Sequence, residues 1–308
     1  MIKTSILRER IPIALLFALT LCAFLEIGRI TDAMQGALSV CARAVIPSLF
    51  PFLLLTEAFM RTKGGQEAFS FLGKPLSLCF RTSSAGGAVY LVGILFGFPL
   101  AAKVLTFYRL SGAISKKEAE RLLLFTNNTG PAFIIGGIGI KMLGSVRFGI
   151  ILYLIEICVS FLFGCVLGIF CKKEKEVPPP SLLCEPFSLP SIVQKSALQM
   201  LSICGYIALF SVLSSLISSF APTKAFCALI YSLCELGSAA AFISSSLFNA
   251  LTIPFLAFAL CFSGASVYLQ AMDFLSKTDI SSKYYIPVKL LQGFFAFFFS
   301  YLLLPFWA

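Results

Sequence analysis

GILFGFPLAAK, residues 93–103, lies in one of the most apolar parts of the chain and breaks two rules for such a place. Gly97-Phe98-Pro99 interrupts a helix, because proline lacks an amide hydrogen and glycine costs backbone entropy. Lys103 then sets a charge where hydrocarbon penalises it most. The break divides the apolar run 84–110 into arms of 13 and 11 residues. Thirteen helical residues reach about 20 Å, short of the ~30 Å hydrocarbon core. The pattern predicts a re-entrant helical hairpin with its tip at mid-depth, not a kinked span.

The rest of the chain suits a membrane. Of 308 residues, 58% are hydrophobic and 12% charged, and the mean hydropathy is +0.94. Soluble domains carry about 25% charged residues. The apolar runs are long and rich in Leu, Phe and Ile, unlike the alternating strands of a β-barrel. The predicted fold class is an all-α polytopic membrane protein. A net charge of +10 then belongs to cytoplasmic loops and calls for no nucleic acid. The absence of histidine excludes histidine-based catalysis, proton relays and histidine-ligated metal. The 11 cysteines include no C-x-x-C pair and read as small buried hydrophobes.

Basic residues set the expected topology. A basic start and an apolar run at 11–27, with no A-x-A-like cleavage site, predict a retained first helix and a cytoplasmic N-terminus. Helix 46–60 returns inside, and the hairpin 84–110 keeps Arg109, Lys116, Lys117 and Arg121 there. A broken helix at 122–143, interrupted by Asn127-Asn128-Thr129-Gly130-Pro131, crosses out, and helix 147–171 comes back. The stretch CKKEKEVPPPSLLCEPFSLP, 171–190, is charged and then proline-rich, as a linker is. Beyond it, helix 198–220, a second hairpin at 225–250 and helix 251–274 repeat the first half upside down, and 286–307 leaves the membrane. Arg29, Arg43, Lys141, Arg147 and Lys224 fall outside, Lys103 within the membrane, and the remaining basic residues inside. The expected organisation is an N-terminal helix (1–33), a first repeat (34–171), a cytoplasmic linker (172–190) and a second, inverted repeat (191–308).

Inverted repeats with discontinuous helices are the plan of a transporter whose site lies near the midplane. Freed backbone groups at the breaks must face protein or water. A helix start there offers N–H groups and partial positive charge to an anion. The candidate binding residues are Gly97, Phe98, Pro99 and Lys103 at the first break; Thr126, Asn127 and Asn128 at the second; Glu235 in the second hairpin; and Ser263 and Gly264 in the break of 251–274. Lys103 meets either an anion or Glu235. Gln270 points inward on the same helix as Ser263. Glu26 pairs with Arg29 at an interface, Glu156 supports packing or proton movement, and KKEAER, 116–121, forms a solvated cytoplasmic face. No P-loop, metal cluster or nucleophile–base pair is present, so an enzyme is not expected, and no cofactor or metal is called for. A scaffold or channel-gating subunit would need larger loops.

The residues from 93 to 135 also resemble a known family. Gly97, Phe98, Pro99, Ala101, Ala102 and Lys103 fit G-[YF]-P-x-[GA]-[AS]-K. Glu118 and Ala119, then Phe125, Thr126, Asn127, Pro131 and Phe133, fit the motifs that follow it. The chain resembles the YlbJ family of sporulation integral membrane proteins, built on a nucleoside-recognition Gate domain and related to concentrative nucleoside transporters. The resemblance covers about 34–305 and is looser in the second half. It implies two opposed hairpins around a central site in a membrane of an endospore-forming bacterium, by resemblance the mother-cell-derived outer forespore membrane. It further implies movement of dipicolinic acid from mother cell towards forespore. The expected partners are a small anionic solute and the lipid bilayer, with a homo-oligomer left open. The alternatives are an ion-coupled nucleoside-type permease and a non-transporting sporulation assembly factor.

Overall fold

The computed structural model describes residues 24–175, 186–247 and 250–306. The expected first helix at 11–27 lies almost wholly outside these residues, with the N-terminus itself, and so does the centre of the linker 172–190. Every regular element among the described residues is helical. α1 (Ile27–Val40) continues through a π-helical turn at Cys41–Val45 into α2 (Ile46–Met60). Together they form one helix of 34 residues, about 51 Å long. Residues 28–45, expected as an external loop, are therefore helical. ITDAMQGALSVCARAV contains no proline, and its Ala, Leu, Met and Gln are good helix formers.

A second helix was hidden from hydropathy by its charges. α3 (Lys63–Phe80) carries Lys63, Glu67 and Lys74, which interrupt its apolar pattern. Thr62 caps it, its hydroxyl accepting from the Gly65 amide at 3.2 Å. A 100° bend leads into α4 (Ser84–Phe96). The two helices meet where Gly73 lies against Gly87 and Ala88, and a Cβ on Gly87 would come within 2.0 Å of the Gly73 carbonyl oxygen. Small residues allow such backbone contact inside a membrane.

The break at 97–99 has the expected shape. Gly97 sits at φ +84°, the Phe98–Pro99 peptide is cis, and α5 (Leu100–Leu110) leads away. A Cβ on Gly93 would lie 3.3 Å from that of Ala101. Residues eight apart in a straight helix are about 12 Å apart, so the chain doubles back. The base of the hairpin is tied to the segment that follows. Glu118, on α6 (Lys116–Thr126), accepts from the Ser83 amide at 2.7 Å and from its hydroxyl at 2.8 Å. The Arg121 guanidinium donates to the Arg81 carbonyl at 3.0 Å. This corrects the expectation for 116–121: Glu118 and Arg121 are buried, Glu118 serving the helix start at Ser83 and Arg121 the end of α3 at Arg81.

After an irregular stretch at 127–130 comes a π-helical segment, Ala132–Met142, then α7 (Val146–Ile169). The second half comprises α8 (Leu189–Ser218), α9 (Lys224–Cys234), α10 (Leu236–Ser246), α11 (Thr252–Phe262), α12 (Gly264–Leu275) and α13 (Tyr285–Leu302). Glu235 alone separates α9 from α10. Tyr231 and Phe242 stack across it with ring centroids 4.9 Å apart, so this chain also doubles back. Ser263, at φ +70°, separates α11 from α12.

Five described helices are long and apolar enough to cross a membrane: Ile27–Met60, Val146–Ile169, Leu189–Ser218, Thr252–Leu275 and Tyr285–Leu302. Counting the bent α3–α4 pair makes six. The chain is thus an all-helical polytopic membrane protein. Thr252–Leu275 is the inner span, with 78% of its apolar window buried against 28–33% for the other four.

The breaks meet in pairs. The Phe98 amide donates to the Asn128 carbonyl at 2.6 Å, and a Cβ on Gly97 would reach the Gly130 nitrogen at 2.4 Å. In the second half a Cβ on Gly264 would lie 3.1 Å from the Cys234 carbonyl oxygen, beside Glu235.

The close packing is testable. A Cβ at position 93 would fall 1.9 Å from the Thr126 carbonyl oxygen, whereas nothing lies within 4 Å of one at position 205. Gly93→Ala is expected to cost about 1–3 kcal/mol and lower Tm in detergent, and Gly205→Ala to leave it unchanged or raise it.

Candidate functional site

Three cavities follow one another along α8. A vestibule of about 440 Å³ borders its residues Leu198 to Tyr206. A narrow neck of about 20 Å³, room for one water, borders Ile203 and Ile207. A third cavity of about 300 Å³ borders Ser211 and Ser215, with Arg29 and Asp32 at its far side. From residue 202 to residue 213 the helix rises about 16 Å, so the cavities lie at successive levels of α8; the first two share Ile203 and Gln270.

Pro99, Lys103, Gln199, Gln270 and Lys277 line the vestibule. Beyond Leu110 and Lys277 of its wall, Arg109 and Asp279 clasp each other, with two hydrogen bonds of 2.9 Å joining the end of α5 to the loop before α13. Those bonds hold the Asp279 carboxyl below the usual carboxylate range. The clasp is therefore complete near neutral pH and is lost only as the pH falls through that lowered value.

Lys103 does not meet Glu235, one of the two partners expected for it. Its ammonium forms an ion pair with Glu57 of α2 and donates to the Gln199 side chain at 3.1 Å. Glu57 in turn accepts from Arg61 at 3.0 and 3.1 Å, and Arg61 reaches Ser191 at 3.1 Å and the Pro186 carbonyl at 3.3 Å. Two cations share one carboxylate here.

Glu235 lies deeper, at the neck. Its carboxylate accepts from the Gly237 amide at 2.7 Å and the Ser238 amide at 2.5 Å, capping α10. Ser238 also bonds Ser211 at 2.6 Å, which carries the contact on to the third cavity. Phe98, Thr129, Gly130 and Gln270 also line the neck. Of the other expected residues, Gly97 makes the contact between breaks, and Thr126, Asn127 and Asn128 are buried within the second break. Ser263 and Gly264 are buried behind Glu235, the Ser263 hydroxyl donating to the Leu260 carbonyl at 2.8 Å.

The chain is 30% identical to the sporulation integral membrane protein YlbJ of Bacillus subtilis (strain 168) over 320 aligned positions, covering 88% of this chain and 77% of the relative. The chain belongs to the YlbJ family. No family profile matches it, and no solved structure matches it. The relative is by name an integral membrane protein, in agreement with the spans of this chain, which is a multi-pass membrane protein.

In this YlbJ-family chain the second break holds opposite charges at its two ends. Lys289, expected among the cytoplasmic residues, is fully buried on α13. It donates to the Asn127 carbonyl at 3.0 Å and to Gln292 at 3.4 Å. That carbonyl ends α6, where a cation complements the helix dipole. Glu156 of α7 accepts from the Thr129 amide at 2.6 Å, on the side where the next helical segment begins. Asn127 donates to the Tyr285 hydroxyl at 2.8 Å, and Gln292 to the Leu124 carbonyl at 2.8 Å. A signal for Lys289 was present in the sequence: Tyr285, Lys289, Gln292 and Ser300 recur on one face of an otherwise apolar helix.

Lys289 and Glu156 hold opposite ends of one break, so removing either leaves the other buried charge less well compensated. Lys289→Met is expected to destabilise by about 3 kcal/mol or more. The loss should be at least about 0.5 kcal/mol smaller in a Glu156→Gln background, measured by thermal unfolding of all four proteins in detergent.

Proposed function

We propose that the chain is a membrane transporter of a small organic anion, and that the anion is dipicolinate, moved from mother cell towards forespore. One observation carries this: Lys103 lines a vestibule of about 440 Å³ that leads to a neck where two pairs of broken helices meet. The volume lies in the usual range for small-molecule sites. Lys103 brings an ammonium to the vestibule wall, while its Glu57 partner stays behind that wall. Lys277 adds a second vestibule lysine, opposed by Asp273. Paired cavities on either side of a closed neck suit alternating access around discontinuous helices. The name of the relative supports a place in sporulation.

In this proposal the two halves are inverted repeats. The hairpin 84–110 has both ends in the cytoplasm, as does the N-terminus, and the protein resides in the outer forespore membrane. The kinship with the nucleoside-recognition Gate domain belongs to the same proposal. The amides of Gln199 and Gln270 in the vestibule favour a second reading, a nucleoside-type permease, because amides hydrogen-bond neutral heterocycles.

Two measurements test these readings. Proteoliposomes should take up dipicolinate saturably and not uridine, and Lys103→Ala should lower dipicolinate uptake by more than about tenfold. Saturable uridine uptake without dipicolinate movement would establish the permease instead. A single cysteine at position 112, in a chain cleared of reactive native cysteines, should label only from the cytoplasmic side. Labelling from outside would overturn the hairpin orientation.

A further inference from the structure

Lys103 is shared between the vestibule and a buried carboxylate. An ammonium has three N–H donors. Glu57 and Gln199 take two of them, and the vestibule lies along the same side chain. Glu57 does not line the vestibule; it approaches Lys103 from the protein side, on α2. Its oxygens are divided: one accepts from Arg61 twice, at 3.0 and 3.1 Å, and the other pairs with Lys103. Arg61 is anchored independently, through Ser191 and the Pro186 carbonyl, near the start of α8. If Lys103 turned away, Glu57 would keep a bidentate-capable partner and would not be stranded as a naked buried charge. Lys103 and a solute carboxylate would likewise leave no charge unmatched.

We propose that Glu57 is a built-in counter-anion for Lys103. It holds the ammonium while the vestibule is empty and yields it to a carboxylate of the incoming solute, retreating onto Arg61. The proposal rests on the reading that the vestibule admits a small organic anion. It adds that this anion binds in competition with a residue of the chain itself. A standing competitor weakens binding, and it also returns to Lys103 when the solute leaves, which speeds release. Glu57 is a positioning residue, acting on the solute through Lys103.

The test compares the full-length protein with Glu57→Gln, using dipicolinate as the probe for both equilibrium binding in detergent and counterflow in proteoliposomes. Without the competing charge, dipicolinate should bind about tenfold tighter, the low end of the coupling of a close charge pair. KM and kcat for counterflow should fall together. Should Glu57→Gln fail to fold because two cations face each other, Glu57→Gln/Arg61→Gln removes one charge of each sign with Lys103 in place, and the same tightening is expected. Unchanged or weaker binding in a folded variant overturns the proposal and makes Glu57 a fold-supporting anchor only. In that event, dipicolinate binding by the unaltered protein that is lost in Lys103→Ala leaves the anion reading standing. If the unaltered protein binds no dipicolinate, the anion reading itself fails, and the proposal with it.

Discussion

A broken backbone inside hydrocarbon must find partners for the groups it frees, and this fold is organised around that requirement. The partners come first from another break: Phe98 donates to the Asn128 carbonyl, and Gly264 lies against Cys234 and Glu235. They come next from buried charges. Glu118, Glu156 and Glu235 each accept amides at a helix start, and Lys289 donates to a carbonyl at a helix end. Each pairing matches the sign of the local helix dipole. The ionisable residues of the apolar interior are therefore mostly committed to the fold.

Lys103 stands apart from that pattern. It lies in the first turn of α5, where a cation opposes the helix dipole, it borders a cavity, and it shares its carboxylate with a second cation. The sequence motif around it singled it out for its charge in an apolar segment; the structure distinguishes it from Lys289, equally improbable by hydropathy, through access to space.

The breaks were legible because Gly97-Phe98-Pro99, Asn127 to Pro131, Glu235 and Ser263-Gly264 are helix-breaking or polar residues set in apolar runs. The all-helical membrane class followed from composition. Partner choice was not legible. Glu57 sits among apolar residues of α2 and meets Lys103 only after the hairpin doubles back, a contact no local pattern encodes. Helix α3 escaped because its charges dilute a hydropathy window, though its length and cap are ordinary. Residues 28–45 read as a loop by hydropathy, which marks only the most apolar part of the helix, while helix propensity continues through the polar part as well.

The neck is small, with room for one water. Cavities of about 440 and 300 Å³ approach it from successive levels of α8, and both have room for water. An electrical potential falls mostly across the poorly conducting part of its path. In the transport proposed above, with each cavity open to water on its own side, the membrane voltage would be concentrated on the neck flanked by Ile203, Ile207 and Glu235, not spread over the ~30 Å core. A charge crossing the neck would sense nearly the whole potential, about 2.3 kcal/mol per 100 mV. The same charge moving within either vestibule would sense almost none.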